Sequence, residues 1–195
     1  MIFVIVGIVV ALLVPTLWVV ATYNSFARHR IRAQNSLSQI DVQLKRRCDL
    51  IPNLVEAVKG YMTHERETLQ AVIEARSSAL AGLSALHATP HDGAAIRALA
   101  GASGAIDQLL SRLMVSIERY PDLKASTNVL ALQEELVSTE NRIAFARQAY
   151  NDAVMTFNTG IAVFPANMLA GPFGFTSLTL FEAAAAERAV PTVKL

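Results

Sequence analysis

The pair His64-Glu65 comes closest to a catalytic motif in this sequence. Zinc proteases hold their metal with two histidines four residues apart on one helix, and a glutamate beside the first histidine acts as the base. Here the position four residues after His64 is Thr68. The remaining histidines occur singly in separate contexts, at His29, His87 and His91. The sequence therefore predicts no metal site.

Cys48 is the only cysteine of the 195 residues, which excludes an internal disulfide and a thiolate-built metal centre. Arg46 and Arg47 precede it, and basic neighbours can lower the pKa of a thiol. Adjacent residues on a helix point in different directions, however, and no histidine lies three or four residues away. A small buried or interfacial cysteine is predicted. With no glycine-rich phosphate loop and no nucleophile elbow either, neither an enzyme nor a cofactor is predicted.

Polar residues at helical spacing form two stripes. The first comprises Asp41, Lys45, Asp49, Asn53, Glu56 and Gly60, and the second comprises Gln133, Glu140, Arg147, Asn151 and Asn158. Their spacing is typical of solvated faces or of register-setting polar pairs in a helical bundle. The candidate polar network within them is Asp49, Glu56, Arg147 and Asn151.

Arg147 lies between Ile143 and Tyr150, so it borders the buried face predicted for its helix. A guanidinium in that position requires a carboxylate partner. We expect Arg147 to bond to Asp49 or to Glu56, with the longer side chain of Glu56 preferred.

Composition indicates a helical protein with a membrane anchor. Charged residues make up 17% of the chain, below the quarter that is usual in soluble domains. The 17 basic and 16 acidic residues leave a net charge of +1, which does not favour nucleic acid as a partner. No charged side chain occurs from Met1 to Ala27. We interpret residues 1–23 as a transmembrane helix kinked at Pro15. The alternative is a signal peptide cleaved after Val19-Val20-Ala21, although it would lack a basic start.

Arg28, Arg30 and Arg32 follow the predicted span and form a lipid-facing basic cluster. Basic residues beside a span favour its cytoplasmic side and attract anionic lipids. The expected location is the bacterial inner membrane, with a single pass and with the bulk of the chain in the cytoplasm.

The predicted fold is all-α: the N-terminal span followed by an up-and-down antiparallel bundle of long helices over residues 24–165. The first apolar stripe keeps its phase from Leu37 to Ile73, so Pro52 either kinks one long helix, which we favour, or starts a second one. A second helix is expected to end at Tyr120-Pro121. A third is expected from Ser126 or Thr127 to Pro165, with core positions at Leu132, Leu136, Ile143, Ala146, Tyr150, Ala153, Phe157, Ile161 and Phe164.

The last predicted unit, residues 166–195, is an apolar loop with a short final helix through Ala183 to Ala186. No charged residue occurs between Asp152 and Glu182. The segment either caps the bundle core or exposes an apolar patch, Phe173, Phe175 and Phe181, to a partner or to a membrane.

Three ordered stretches resemble the LemA family. They are IDVQLKRRCDLIPNLVEAVKGY at 40–61, RYPDLKA at 119–125, and the segment from Leu132 to Asn151, continued by Asn158 and Phe164-Pro165. The resemblance implies a bacterial, single-anchor helical bundle, and a link between some members and membrane metalloproteases. By analogy with the family, the two polar stripes would line a binding groove, which is the alternative to solvated or register-setting faces. Certain relatives resemble lipoproteins, with a cysteine just before a tyrosine–asparagine pair. Here Thr22 precedes Tyr23-Asn24, which excludes that attachment.

The expected function is that of a non-enzymatic, membrane-anchored scaffold or adaptor with lipid and other membrane proteins as partners, including further copies of itself. The alternative is a regulatory subunit of a membrane protease. An enzyme in its own right is the least favoured class.

Overall fold

The computed structural model describes residues 1–90 and 92–182. These residues form six helices and no strand: α1 (Ile2–Val58), α2 (Arg66–Ala88), α3 (Gly93–Ile117), α4 (Pro121–Lys124), α5 (Thr127–Ala162) and α6 (Asn167–Ala170). The four long helices are α1, α2, α3 and α5. The all-α prediction, with a long apolar N-terminal helix followed by further helices, is confirmed.

Helix α1 runs without a break through Pro15 and Pro52. The interpretation that Pro52 does not start a new helix is therefore correct. The expectation of one helix reaching Ile73 is wrong, because the chain turns at residues 59–65 and α2 begins only at Arg66. In the turn, the amide nitrogens of Tyr61 and Met62 both donate to the carbonyl of Val58. Met62 is buried in the core, so apolar residues stay in phase on both sides of the break.

The long helices pack as two antiparallel pairs, α1 with α5 and α2 with α3. At one end of the first pair Phe26 and Phe157 share an apolar cluster. Towards the other end Arg46 forms an ion pair with Glu135. Short connections between long amphipathic helices produce this up-and-down arrangement. Helix α2 lies against α1 as well, where His87 Nε2 is 3.0 Å from Asp41 Oδ2.

Helix boundaries after α2 follow local sequence signals. The side chain of Asp92 accepts from the amide nitrogen of Ala94 and caps α3. Pro121 occupies the first turn of α4, and Ser126 is the N-cap position of α5, as the sequence predicts. The predicted core positions of α5 are buried at Leu136, Ile143, Tyr150, Ala153 and Phe157, whereas Phe164 lies beyond the helix and is exposed.

Within the part of the chain that the structure describes, α1 is the one helix long and apolar enough to cross a membrane. Its most apolar 18-residue stretch has no buried residue, and Phe26 is the first buried side chain of the chain. One helix thus combines an exposed apolar segment with a segment of the bundle core. The predicted helix through Ala183 to Ala186 lies outside the described residues.

Candidate functional site: a charged cluster and a groove in the bundle

Five polar residues from three helices meet inside the bundle, and we call them the interior charge cluster: Arg47 of α1, Ser103 and Asp107 of α3, and Glu140 and Arg147 of α5. Arg47 forms ion pairs with Asp107 and with Glu140. Arg147 Nη2 donates to Ser103 Oγ at 2.6 Å and lies 3.3 Å from Asp107 Oδ2. Asp107 therefore joins the two guanidinium groups.

Burial determines the electrostatics of this cluster. The Arg47 side chain is only 1% exposed, and this desolvation lowers its pKa below the ordinary arginine value, an effect that the neighbouring carboxylate of Asp107 opposes. An arginine remains protonated even so. The buried Arg47 guanidinium requires paired carboxylates, and it has them in Asp107, which is 22% exposed, and Glu140, which is 44% exposed at the edge of the cluster. The cluster thereby links α1, α3 and α5 over about two helical turns of the bundle.

The expected bond from Arg147 to Asp49 or Glu56 is wrong. Asp49 lies 3.4 Å from Lys45, and Glu56 lies 2.6 Å from Lys59, both on the exposed surface of α1. The antiparallel register explains the difference. Because Arg47 contacts Glu140, Arg147 is level with about residue 40 of α1, and Asp49 is then about 14 Å away along the helix axis.

Asp107 and Ser103 were missed by sequence reasoning, although a signal was present. Asp107 is the only charged residue between Arg97 and Arg112, and it interrupts the apolar face between Ile106 and Leu110. An acid in that position requires a buried cation.

A cavity of about 430 Å³, which we call the α3–α5 groove, opens beside the cluster. Three members of the cluster, Arg47, Asp107 and Glu140, contribute charged groups to its lining. The rest of the lining comes from Leu110, Ser111, Met114, Val115, Leu136 and Val137. Ligand pockets have this size and this combination of apolar surface with a few polar groups. Val115 and Val137 are both more than half exposed, so the groove presents apolar side chains to the surface.

Asn151, a member of the candidate polar network, has a different role from Arg147. Its side chain pairs with the backbone of Phe181, donating to the carbonyl at 3.2 Å and accepting from the amide at 2.8 Å. Asn158 pairs with the backbone of Leu178 in the same way, at 2.9 and 2.8 Å. Seven helical residues and three extended residues both span about 10 Å. The two asparagines therefore hold residues 178–181 in extended form along α5.

The apolar patch expected from Phe173, Phe175 and Phe181 does not form as one exposed surface. Phe175 and Phe181 are buried, whereas Phe173 is 46% exposed. The Phe181 ring lies beneath the guanidinium of Arg147, whose Cζ is 5.5 Å from the ring centroid. For Phe175 and Phe181, the alternative that the C-terminal segment caps the core is the correct one.

The predicted basic cluster lies on α1 just after Phe26. Arg28 and Arg32 are exposed, and together with Asn35 and Gln39 they line a shallow depression along the helix. Arg30 is partly buried.

Cys48, His64 and Glu65 are the residues whose types suggested catalysis in the sequence. Cys48 is fully buried, and this desolvation raises the pKa of its thiol. Glu65 accepts a hydrogen bond of 2.5 Å from the hydroxyl of Tyr120, which raises the pKa of that tyrosine. His64 lies in the turn between α1 and α2. Among residues 1–90 and 92–182, no group of three His, Cys, Asp or Glu side chains could hold a metal ion.

Comparison with known proteins determines the family. Residues 36–195 match the model of the LemA family. The chain belongs to the LemA family. Every residue of the interior charge cluster and of the α3–α5 groove falls inside the matched range. The apolar start of α1 and Arg28, Arg30 and Arg32 precede it.

Individual LemA family relatives are similar over most of this chain. Magnetosome protein MamQ of Magnetospirillum gryphiswaldense is 28% identical, and Magnetosome protein MamQ 2 of Paramagnetospirillum magneticum is 30% identical. Each similarity covers 82% of this chain and 64% of the relative, so the chain spans just under two thirds of the length of these proteins. Protein LemA of Metamycoplasma hominis is 28% identical over 85% of this chain and 71% of its own length.

Proposed function

We propose that this LemA family chain is a membrane-anchored scaffold or adaptor of the bacterial inner membrane, and that it acts by binding proteins and lipids without catalysing a reaction. The continuity of α1 carries the proposal. The same 57-residue helix supplies an exposed apolar stretch before Phe26 and one quarter of the bundle after it. A binding surface built on this bundle is therefore held at a fixed distance from the membrane.

Lipid binding is assigned to Arg28, Arg30 and Arg32, which lie about 8–14 Å beyond Tyr23 along α1. Each basic residue near an anionic surface contributes about 1 kcal/mol of attraction. The same arginines favour the cytoplasmic side for the bundle, because basic residues beside a span are enriched there. A C-terminal alkaline phosphatase fusion should be inactive and a C-terminal green fluorescent protein fusion should be bright. An active phosphatase would contradict this orientation, and changing all three arginines to glutamate should weaken it.

Protein binding is assigned to the α3–α5 groove, whose apolar rim includes Val115 and Val137. An apolar side chain of a partner would enter the groove, and a hydrogen-bond donor beside it would bond to the carboxylates of Asp107 and Glu140, which are the more exposed charged groups of the lining. Desolvated pockets of this kind concentrate binding energy in a few residues.

The test is co-purification from solubilised membranes with a matched pair of variants. Val137 lines the groove, whereas Leu130 is an exposed residue of the same helix outside it. We expect Val137→Glu to release the bound protein and Leu130→Glu to retain it. Further copies of the chain in the eluate would favour a scaffold, and a membrane protease would favour the regulatory subunit. Equal retention by both variants would contradict the assignment of the groove.

A further inference from the structure

The loop between α5 and the extended C-terminal segment has an exposed apolar surface at the Phe26 end of the bundle. We call residues 163–174 the Phe164 loop; it includes α6. Four of its large apolar side chains are exposed: Val163 (54%), Phe164 (74%), Met168 (67%) and Phe173 (46%). The loop has no charged residue.

The position of the loop relative to α1 is fixed by aromatic contacts. The Tyr23 ring lies 5.3 Å from the Phe173 ring and 5.5 Å from the Phe175 ring, both edge-on. Phe175 in turn packs on Phe26 at 5.2 Å. The loop therefore lies beside the residues at which the exposed apolar part of α1 ends.

We infer that the Phe164 loop is a second membrane contact, inserting Phe164 and Met168 into the interface of the bilayer that α1 spans. The inference rests on the membrane anchoring proposed above. If Ala21 ends the hydrocarbon span, Tyr23 lies about 3 Å beyond it. The headgroup region is about 5–7 Å thick on each side, so a loop packed on Tyr23 lies within it.

Charge distribution supports lipid as the occupant of this surface. Arg28, the nearest charged side chain of α1, comes five residues after Tyr23, about 8 Å farther from the hydrocarbon core. The apolar loop and the basic residues thus match the order of acyl chains and phosphates in a bilayer. Four large exposed apolar side chains in one short, uncharged loop are the kind of surface that marks an interaction site.

Two contacts with one bilayer have a consequence that a single helix does not. A lone span leaves the bundle free to rotate about the helix axis. A loop inserted beside the span fixes which face of the bundle is turned towards the lipid.

The experiment uses the full chain in vesicles of phosphatidylcholine and phosphatidylglycerol. In a Cys48→Ala background, single cysteines at Val10, Met168 and Tyr61 carry an environment-sensitive fluorophore, and nitroxide-labelled lipids quench it. Tyr61 is an exposed position, 55%, in the turn at the other end of the bundle and outside the α3–α5 groove. We expect a blue shift and a loss of emission on quenching at Val10 and Met168, and neither at Tyr61.

The outcomes separate this inference from the proposed anchoring. Quenching at Val10 with Met168 as unquenched as Tyr61 would overturn the loop contact alone. No quenching at Val10 would overturn the anchoring and the loop contact together. A second variant guards against a fluorophore that inserts by itself: Phe164→Asp should reduce the quenching at Met168, while Phe145→Asp, on an exposed position of α5, should not. Unchanged circular dichroism confirms that these variants are folded.

Discussion

Arg76 of α2 donates from Nε to the backbone carbonyl oxygen of Cys48 at 2.6 Å. In an uninterrupted helix this carbonyl would accept from the amide of residue 52, four positions on. Pro52 has no amide hydrogen. The Arg76 guanidinium therefore supplies the missing donor. The carbonyl of Cys48 stays hydrogen-bonded although α1 contains a proline in the half that packs into the bundle.

This arrangement predicts coupling between Arg76 and Pro52. Arg76→Met should lower the free energy of unfolding by about 1–3 kcal/mol, because it leaves a buried carbonyl unsatisfied. In a Pro52→Ala background the amide of residue 52 supplies the donor, so the same change should cost less. Urea unfolding of the four proteins gives the coupling energy. Arg112→Met, on the exposed face of α3, is the control and should stay within about 0.5 kcal/mol. Additive losses at residues 76 and 52 would show that the guanidinium does not substitute for the amide.

The interior charge cluster predicts a large cost for removing its shared carboxylate. Asp107→Leu should destabilise the protein by about 3–5 kcal/mol, because it leaves Arg47 buried with Glu140 as its remaining partner. Adding Arg47→Met should recover part of the loss. Glu56→Ala, which removes only an exposed ion pair, should change stability by less than about 1 kcal/mol. If Asp107→Leu proved as mild as Glu56→Ala, the cluster would make no net contribution to folding.

Helix α5 offers a matched test of its buried face. Phe157 is 1% exposed, whereas Arg142 is on the exposed side of the same helix. Phe157→Ala should cost about 3–5 kcal/mol through the cavity it creates. Arg142→Ala should cost no more than about 0.5 kcal/mol. Thermal denaturation followed by circular dichroism compares the two, and equal melting temperatures would refute the register of α5.

Tyr150 predicts a loss of stability at alkaline pH. Its hydroxyl donates to the carbonyl of Thr179 at 2.7 Å, and burial raises its pKa to about 12 from an ordinary 10.0. The unfolded chain loses this proton first, so the stabilisation is complete below pH 10 and falls as the pH rises towards 12. The stability difference between the wild type and Tyr150→Phe should shrink over that range, by at most about 3 kcal/mol. Tyr61→Phe, an exposed position, should show no such trend; a constant difference for Tyr150→Phe would contradict its burial.

Apolar periodicity was sufficient to predict the helices but not their register. The stripe from Leu37 to Ile73 indicated helix throughout, and only Gly60 marked the place where the chain reverses, because the residues on both sides pack in the same core cluster. Pairing across helices depends on axial alignment, which no single helix encodes. For that reason the sequence indicated that Arg147 needs a carboxylate, and not that Asp107 of α3 provides it.

Apolar periodicity could not predict the backbone contacts of Asn151 and Asn158 either. Asn151 and Asn158 occupy a polar stripe that reads as solvated surface, yet both bond to the backbone of residues 178–181. An amide side chain can pair with any extended backbone segment, so the partner residues need no particular side chain that the sequence would reveal. The spacing of seven residues was visible in the sequence, but its match to three extended residues requires knowing that the chain returns along α5.

Because α1 is one continuous helix, a small change in the tilt of its apolar end produces a larger displacement at its far end. From Phe26 to Val58 the helix extends about 48 Å. With α1 anchored in the bilayer as proposed above, a change of about 10° in the tilt of its apolar segment would move the far end of the bundle by about 8 Å. Transmembrane helices adjust their tilt when the hydrophobic thickness of the bilayer changes. A change in membrane thickness at one end of α1 would therefore reach the turn at Gly60 as a sideways displacement several times larger than the thickness change.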